Sequence, residues 1–332
     1  MIEDKKWTGV EKKQLIIFLT VNFGLTVLMG ILMWVSYHNG NDVSAFAATQ
    51  MMYPAAGVML AYLITEKGKA ELPKRFFITY LAVAVLILAS AVGSVFLPDI
   101  AWLGVCNLIM IGGSVLAWIM LLTEKKEKRI AYGLKGKDIK ASVFCVLLFI
   151  GLYLLRAILS YAVSGQISAV GEIAGNPMTW IMAGSLIINF FLVFIAFFGE
   201  EYGWRYYLQP LLQSRFGKRW GVLLLGVVWG LWHLPVNFFY YSPGTGLISA
   251  VGQQITCITL GIFFAYAYMK TENIWVTVVL HFLNNNLVPI ITGTYSADII
   301  QGQTMNWTDL IPLLVVNGIL FGGFLAAKEY RE

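Results

Sequence analysis

The stretch Trp180–Gly199, with the sequence WIMAGSLIINFFLVFIAFFG, contains no charged residue and is followed directly by Glu200 and Glu201. A helix of about 20 mostly apolar residues is long enough to cross the hydrocarbon core of a bilayer. We therefore predict a membrane-spanning helix that carries two adjacent carboxylates at its end. Because a charged side chain is costly at that depth, an ionisable residue there indicates a functional site.

The composition extends this prediction to the whole chain. Of the 332 residues, 58% are hydrophobic and 12% are charged, whereas a soluble domain carries about 25% charged residues. We predict an all-α fold, a polytopic bundle of transmembrane helices surrounded by the lipid bilayer. The net charge of +5 is explained by basic loops that orient the spans, so we expect no nucleic-acid partner.

Ten segments are long and apolar enough to span a membrane. They cover residues 15–36, 46–64, 76–97, 101–122, 141–162, 179–199, 221–240, 249–269, 274–292 and 310–327. Every Lys and Arg except Arg156 and Arg205 lies in a tail or in alternate loops, and the loops between those contain none. By the positive-inside rule, both termini lie in the cytoplasm. We expect a multi-pass protein of the cytoplasmic membrane.

The ten spans divide the chain into two regions. Residues 1–165 form an N-terminal five-span region with no assigned role, and residues 166–332 form a C-terminal five-span region. Arg156, near the outer end of the fifth span, is expected to extend its guanidinium to the interface. Gly226 and Gly230 predict a face of close helix packing. The three cysteines, which lack metal-ligand spacing, are interpreted as small core residues: Cys106, Cys145 and Cys257.

Two of the three histidines lie inside predicted spans, and each has an aromatic or amide partner four residues away. Trp229 precedes His233, and Asn285 follows His281. Residues four apart share one face of a helix, so each pair presents a single surface. Counting 1.5 Å per residue from the cytoplasmic ends of their spans puts His233 at a depth of about 18 Å and His281 at about 10 Å. Glu200 is near a cytoplasmic end, so we expect one polar pocket in the inner half of the bilayer.

These residue types suffice for hydrolysis of a peptide bond. A carboxylate in an apolar site becomes a competent general base for water. Neighbouring imidazoles can polarise a carbonyl group, stabilise an oxyanion or bind a metal ion. Asn285 can donate a hydrogen bond to the oxyanion. Arg205 follows Glu201 by four residues and can pair with it, which leaves Glu200 to act on water.

The three motifs together resemble those of a known family. Glu200-Glu201-x-x-x-Arg205, Trp229-x-x-x-His233 and His281-x-x-x-Asn285 occur in the order typical of the CPBP family, which comprises the type II CAAX prenyl proteases and their bacterial relatives, also called the Abi family. The resemblance covers about residues 180–292. Two positions depart from the family pattern: Trp229 stands where Phe is commoner, and Tyr206 stands where Gly is often found.

The resemblance implies an intramembrane endopeptidase that cleaves membrane-associated peptides or proteins. In this family the first glutamate, here Glu200, is assigned as the base that activates water, and His233, His281 and Asn285 line the site. Glu201, Arg205 and Trp229 are supporting residues. The His-Glu-x-x-His motif of many zinc proteases is absent from the sequence. Glu200 and the two histidines could still form a zinc site, so the cofactor and the oligomeric state stay open.

Other interpretations of the same residues remain. Glu201 and Arg205 could form only an ion pair at a helix end, and each histidine could be a satisfied core residue. The chain could be a non-catalytic bacteriocin self-immunity protein, since some relatives are linked to that role. It could also be a proton-coupled transporter, because buried Glu and His form proton relays. A relay would spread titratable groups across the membrane, whereas these groups are expected in its inner half.

Overall fold

The computed structural model describes residues 7–331, and all regular secondary structure in that range is helical. The prediction of an all-α fold is confirmed. Residues 1–6, which include Lys5 and Lys6 of the predicted cytoplasmic tail, and residue 332 lie outside the described residues.

The helices group into two compact units. The first unit contains the described part of Met1–Gly136 together with Phe191–Gly217 and Asn273–Trp275. Its helices are α1 (Gly9–His38), α2 (Ser44–Gln50), α3 (Tyr53–Thr65), α4 (Lys74–Phe96), α5 (Trp102–Leu122), α6 (Lys126–Ala131), the last part of α9 (Pro177–Glu201), a π-helix (Tyr202–Leu208) and α10 (Gln209–Phe216).

The second unit contains Lys137–Phe190, Lys218–Glu272 and the described part of Val276–Glu332. Its α-helices are α7 (Ile139–Val163), α8 (Ser168–Gly175), the first part of α9, α11 (Lys218–Trp232), α12 (Leu234–Val236), α13 (Gly246–Thr271), most of α14 (Ile274–Asn286), α15 (Val288–Ile291) and α16 (Leu310–Leu320). Its other helices are a π-helix (Asn237–Tyr241) and 3₁₀ turns at Pro243–Thr245, Ala297–Ile300, Trp307–Asp309, Gly322–Ala326 and Lys328–Tyr330. The predicted regions 1–165 and 166–332 stay a prediction.

The helices confirm a polytopic membrane protein. Within residues 7–331, nine helical segments are long and apolar enough to cross a bilayer. They are Gly9–His38, Ser44–Thr65, Lys74–Phe96, Trp102–Leu122, Ile139–Val163, Pro177–Phe216, Pro243–Thr271, Ile274–Ile291 and Trp307–Ala326. A tenth is reached when Lys218–Trp232 and Leu234–Tyr241, which meet at an angle of 46°, are taken as one broken span. The predicted seventh span is therefore bent at His233 rather than straight.

In the first unit, a row of stacked aromatic rings runs along the helix that carries the two carboxylates and continues into the π-helix. Phe194, Phe198, Tyr202 and Tyr206 recur every four residues and so lie on one helix face. Phe198 stacks on Tyr202 with ring centroids 4.9 Å apart, and Tyr202 stacks on Tyr206 at 4.6 Å. Trp275 stacks on Phe198 at 5.6 Å. Offset aromatic contacts of this kind add to the stabilisation that comes from burial alone.

In the second unit, α11 packs closely on α13. A Cβ atom built on Gly226 would lie 2.8 Å from the Cα of Ile258, and one on Gly230 would lie 2.6 Å from the side chain of Gln254. Gln254 donates from Nε2 to the carbonyl oxygen of Gly226 at 3.1 Å. The predicted packing face at Gly226 and Gly230 is confirmed, and it fixes the helix that leads to His233.

The three cysteines are buried and free, as predicted for core residues. Two of them, Cys106 and Cys145, lie on α5 and α7. Cys257 lies on α13 and contacts His233, with Sγ 3.8 Å from Nδ1. This contact involves residues 24 positions apart, so no local sequence pattern indicated it.

Candidate active site

Glu200 and Glu201 end α9, and both are buried, with 2% and 0% of their surface exposed. Arg205 is also fully buried. Its Nε lies 3.3 Å from Oε2 of Glu201, and its Nη1 donates to Oε1 of Glu201 at 3.4 Å. The ion pair expected from the spacing of four residues is therefore present. Because each charge is buried with its partner, the pair offsets the desolvation that either ion alone would suffer.

The backbone changes its hydrogen-bond period directly after Glu201. Tyr202–Leu208 form a π-helix, and the N–H of Gln209 bonds to the carbonyl oxygen of Trp204, five residues back. Short π-helical segments inside α-helices are rare and occur frequently at functional sites. Here the segment directly follows Glu201 and contains Arg205, so the ion pair joins the end of α9 to the π-helix.

Two glycines that flank the carboxylates allow a close approach of α2 and α3. A Cβ atom on Gly199 would overlap the carbonyl oxygen of Met51 and the hydroxyl of Tyr80, and one on Gly203 would overlap Pro54. Tyr80 donates to the carbonyl oxygen of Met52 at 3.1 Å. The Tyr80 hydroxyl also interacts electrostatically with Glu200. The first unit thus holds Glu200 in a closely packed setting.

His233 in the second unit has a defined tautomer. Its Nδ1 lies 2.8 Å from the carbonyl oxygen of Trp229. A carbonyl oxygen can only accept, so Nδ1 carries the proton and donates it, and in the neutral ring Nε2 is left as an acceptor. The indole ring of Trp232 stands edge-on to the imidazole, with centroids 4.8 Å apart. His233 is therefore oriented by its own helix and presents Nε2 for chemistry.

A break in the helix places His233. Pro235 follows two residues later, lacks a backbone N–H and clashes with a regular helical turn, which explains the bend of 46°. Asn237 begins the next π-helix and donates from Nδ2 to the carbonyl oxygen of His233 at 2.9 Å. Ser249 donates to Oδ1 of Asn237 at 2.7 Å. Asn237 thus stabilises the bend at His233.

His281 lies beside the same tryptophan. The ring centroids of Trp229 and His281 are 5.6 Å apart, and those of Trp229 and His233 are 5.8 Å apart. Phe264 completes the aromatic surroundings at 6.1 Å from His281. Both histidines are buried. The structure therefore brings together the two histidines and Trp229, the aromatic partner that the sequence predicted to support them.

Asn285, four residues after His281 on α14, is half-buried. Its Oδ1 accepts a hydrogen bond from Nδ2 of Asn284 at 2.9 Å. This contact fixes the amide so that Nδ2 is the group turned away from Asn284 and able to donate to a ligand. Asn286, the third asparagine of the run, donates to the carbonyl oxygen of Phe282 and accepts a hydrogen bond from the amide of Asn189. The run Asn284–Asn286 therefore divides into one candidate donor and two structural residues.

Comparison with known proteins agrees with these motifs. Residues 182–287 match the family model of the Rce1-like proteins, described as type II CAAX prenyl endopeptidase Rce1-like. These matches support the resemblance to the CPBP family. The matched range contains all seven predicted site and supporting residues. The curated CAAX prenyl protease 2 of Methanococcus maripaludis is 25% identical to this chain over 214 residues, which cover 60% of this chain and 78% of the relative.

These similarities, together with the apolar helices, support a multi-pass membrane protein of the intramembrane endopeptidase class. Among residues 7–331, no group of three or more His, Cys, Asp or Glu side chains is arranged to hold a metal ion. Zinc ligation by Glu200, His233 and His281 gains no structural support from these residues and stays a prediction of the sequence.

Proposed function

We propose that this CPBP protein hydrolyses a peptide bond of a membrane-associated peptide or protein, with Glu200 as the base that activates water. The observation that carries the proposal is the burial of two adjacent glutamates, one of which, Glu201, is held by an ion pair. Glu201 forms a buried ion pair with Arg205 and is thereby held as a structural anion. Glu200 is also buried, and a buried carboxylate is a candidate general base.

The reaction then needs one proton to move twice. The Glu200 carboxylate removes a proton from water as the water oxygen bonds to the scissile carbonyl carbon, which gives a tetrahedral intermediate with an oxyanion. The carbon–nitrogen bond breaks, and the carboxylic acid of Glu200 returns the proton to the leaving amine. Catalysis by a positioned acid or base of this kind contributes about 100- to 10,000-fold in rate.

Asn285 and His281 are the proposed donors to the oxyanion. Because Oδ1 of Asn285 accepts from Asn284, its Nδ2 group can donate. A donor placed at a developing oxyanion contributes about 100- to 1,000-fold in rate. His233 has a different role, since its Nδ1 proton is committed to the carbonyl oxygen of Trp229. We assign its Nε2 as the acceptor that orients the attacking water or the substrate amide.

The proposed substrate class follows from the relative's name, a CAAX prenyl protease. We propose a substrate anchored at the cytoplasmic membrane, either a CAAX-type tail or another membrane-associated peptide, that reaches the site from the inner leaflet. The predicted orientation, with both termini in the cytoplasm, is part of this proposal. A membrane-anchored substrate would be presented at a fixed depth, which reduces the cost of positioning its scissile bond.

Purified full-length protein in detergent, with a quenched fluorescent peptide bearing a farnesylated CAAX tail, tests the function. The same peptide without the farnesyl group and a quenched peptide library test the wider substrate class. Glu200→Gln is expected to lower the turnover at least about 100-fold. Glu172→Gln, which changes an exposed glutamate on α8, is the matched control and should retain activity.

The outcomes separate the alternatives. Turnover by wild type and loss in Glu200→Gln support the glutamate mechanism. Equal turnover by both proteins would show that another group activates water. The absence of any cleavage across the peptides would count against an endopeptidase and favour the immunity or transport interpretation. Loss on chelation, restored by added zinc, would show that a metal ion takes part.

A further inference from the structure

Tyr153 on α7 links the fifth predicted span to the asparagine motif of α14. The side chain is fully buried. Its hydroxyl donates to the carbonyl oxygen of Asn284 at 2.7 Å, across 131 positions of the sequence. Asn284 belongs to the last turn of α14, where helix carbonyl groups lack the usual backbone donors. Tyr153 therefore supplies a hydrogen bond where the helix itself cannot.

The bonded carbonyl belongs to the residue that orients Asn285. The Nδ2 of Asn284 donates to Oδ1 of Asn285 at 2.9 Å. Tyr153 thus fixes the main chain of Asn284, and the side chain of Asn284 in turn fixes the amide of Asn285. The two bonds form a continuous path from α7 to the proposed oxyanion donor.

A cation holds the tyrosine ring in place. The guanidinium carbon of Arg156 lies 4.1 Å from the ring centroid of Tyr153, within the range of a cation–π contact. Arg156 is half-buried. Its expected extension to the outer interface stays a prediction, but this contact gives it a local partner. Both residues lie outside the matched family range of 182–287.

We propose that Tyr153 is a positioning residue for Asn285, supported by Arg156, and that the N-terminal half of the chain thereby contributes to the C-terminal catalytic motifs. This inference rests on the proposed role of Asn285 as an oxyanion donor. Tyr153 acts only through Asn284, so its loss should misalign the amide without removing it.

The chain offers a matched control. Tyr161 lies two turns further along α7, and its hydroxyl donates to the carbonyl oxygen of Ile291 at 3.0 Å. Tyr161→Phe removes a tyrosine–carbonyl bond between the same helix and α15, away from Asn285. Any general effect of loosening α7 should therefore appear in both variants, whereas an effect on Asn285 should appear in Tyr153→Phe alone.

The kinetic test uses the farnesylated CAAX peptide, or the best-cleaved library peptide, with full-length protein. Tyr153→Phe is expected to lower kcat about 10-fold with KM within about twofold, because it weakens a contact made in the transition state. Tyr161→Phe should keep kcat within about twofold of wild type. In an Asn285→Ala background, Tyr153→Phe should cause no further loss, since its target is gone. Equal losses in the two tyrosine variants, or additive losses with Asn285→Ala, would overturn the proposal.

A second measurement does not depend on turnover. In protein with ¹⁵N-labelled asparagine, the side-chain amide signal that disappears in Asn285→Ala identifies Asn285. That signal should move in Tyr153→Phe and stay in place in Tyr161→Phe. An unmoved signal in Tyr153→Phe would refute the positioning role even if the enzyme is active. A moved signal together with inactive wild-type protein would instead place the failure in the proposed function.

Discussion

The guanidinium of Arg205 lies 3.3 Å from the carboxylate of Glu201, and both side chains are completely buried. Removal of one partner from such a pair leaves an unpaired buried charge, which costs about 3–5 kcal/mol. An apolar replacement of both partners at similar volume is often tolerated. Loss of one partner should therefore destabilise the helix end that carries Glu200. The intact pair can still add little net free energy compared with two apolar side chains.

We expect Arg205→Met to destabilise the protein by about 3–5 kcal/mol because the Glu201 carboxylate loses its partner. Unfolding in detergent, followed by SDS titration, measures the change. The double variant with Glu201→Met should recover most of the loss. The control is Lys137→Met, which removes an exposed ion pair with Glu272, with side chains 51% and 74% exposed. That change should have a small effect, as is usual for surface pairs. A double variant no more stable than Arg205→Met would contradict this account.

Gly203→Ala should also destabilise the protein. The added methyl group would overlap Pro54, whose carbonyl carbon and Cα would lie only 2.8 and 2.9 Å away. Overpacking of this kind costs about 1–3 kcal/mol. Gly184→Ala on α9 is the control, since nothing lies within 4 Å of its added Cβ. We expect Gly184→Ala to be neutral or slightly stabilising, because alanine favours a helix. Similar melting temperatures for the two variants would show that α3 moves aside.

The variant His233→Asn tests the proposed role of Nε2 separately from the hydrogen bond that Nδ1 makes to Trp229. An asparagine amide can still donate to the carbonyl oxygen of Trp229, which His233 contacts at 2.8 Å, but it has no atom at the position of Nε2. We expect a melting temperature close to wild type and a loss of turnover of about 100-fold or more. His233→Ala should lose both turnover and stability. Substantial turnover in His233→Asn would show that Nε2 has no role in the reaction.

The C-terminal end of α3 should give a pH-dependent contribution to stability. Burial alone would raise the pKa of Glu66, but hydrogen bonds from Tyr132 at 2.6 Å and Gln14 at 3.2 Å, together with Lys69, lower it below its ordinary value. A lowered pKa in the folded state means that the stabilisation is present at neutral pH and is lost as the pH falls through that folded-state pKa.

Glu66→Gln is the variant that tests this contribution. The melting temperature of wild type should exceed that of Glu66→Gln at about pH 7, and the difference should shrink at about pH 3 as the carboxylate is protonated. Glu71→Gln, for which the structure shows no hydrogen bond or ion pair among the described residues, is the control. A difference that does not change with pH would show that Glu66 stabilises the protein by packing alone.

Much of the fold could be predicted from the sequence because hydrophobicity and charge act locally. The uncharged run Trp180–Gly199 required a membrane helix, and the spacing of Glu201 and Arg205 required that they share one helix face. Pro235, inside a predicted span, was a usable signal for the bend at His233, since proline interrupts a helix wherever it occurs. The motifs that resemble those of the CPBP family were recognisable for the same reason, as each lies within a few residues.

Other features depended on contacts between distant segments. The sequence alone predicted an apolar helix, two carboxylates at its end and two histidines on later spans. Only the tertiary structure placed the π-helix after Glu201, the thiol of Cys257 against His233 and the hydroxyl of Tyr153 on Asn284. A hydrogen bond between residues 131 positions apart depends on how whole helices pack, and periodicity within one helix contains no information about its neighbour.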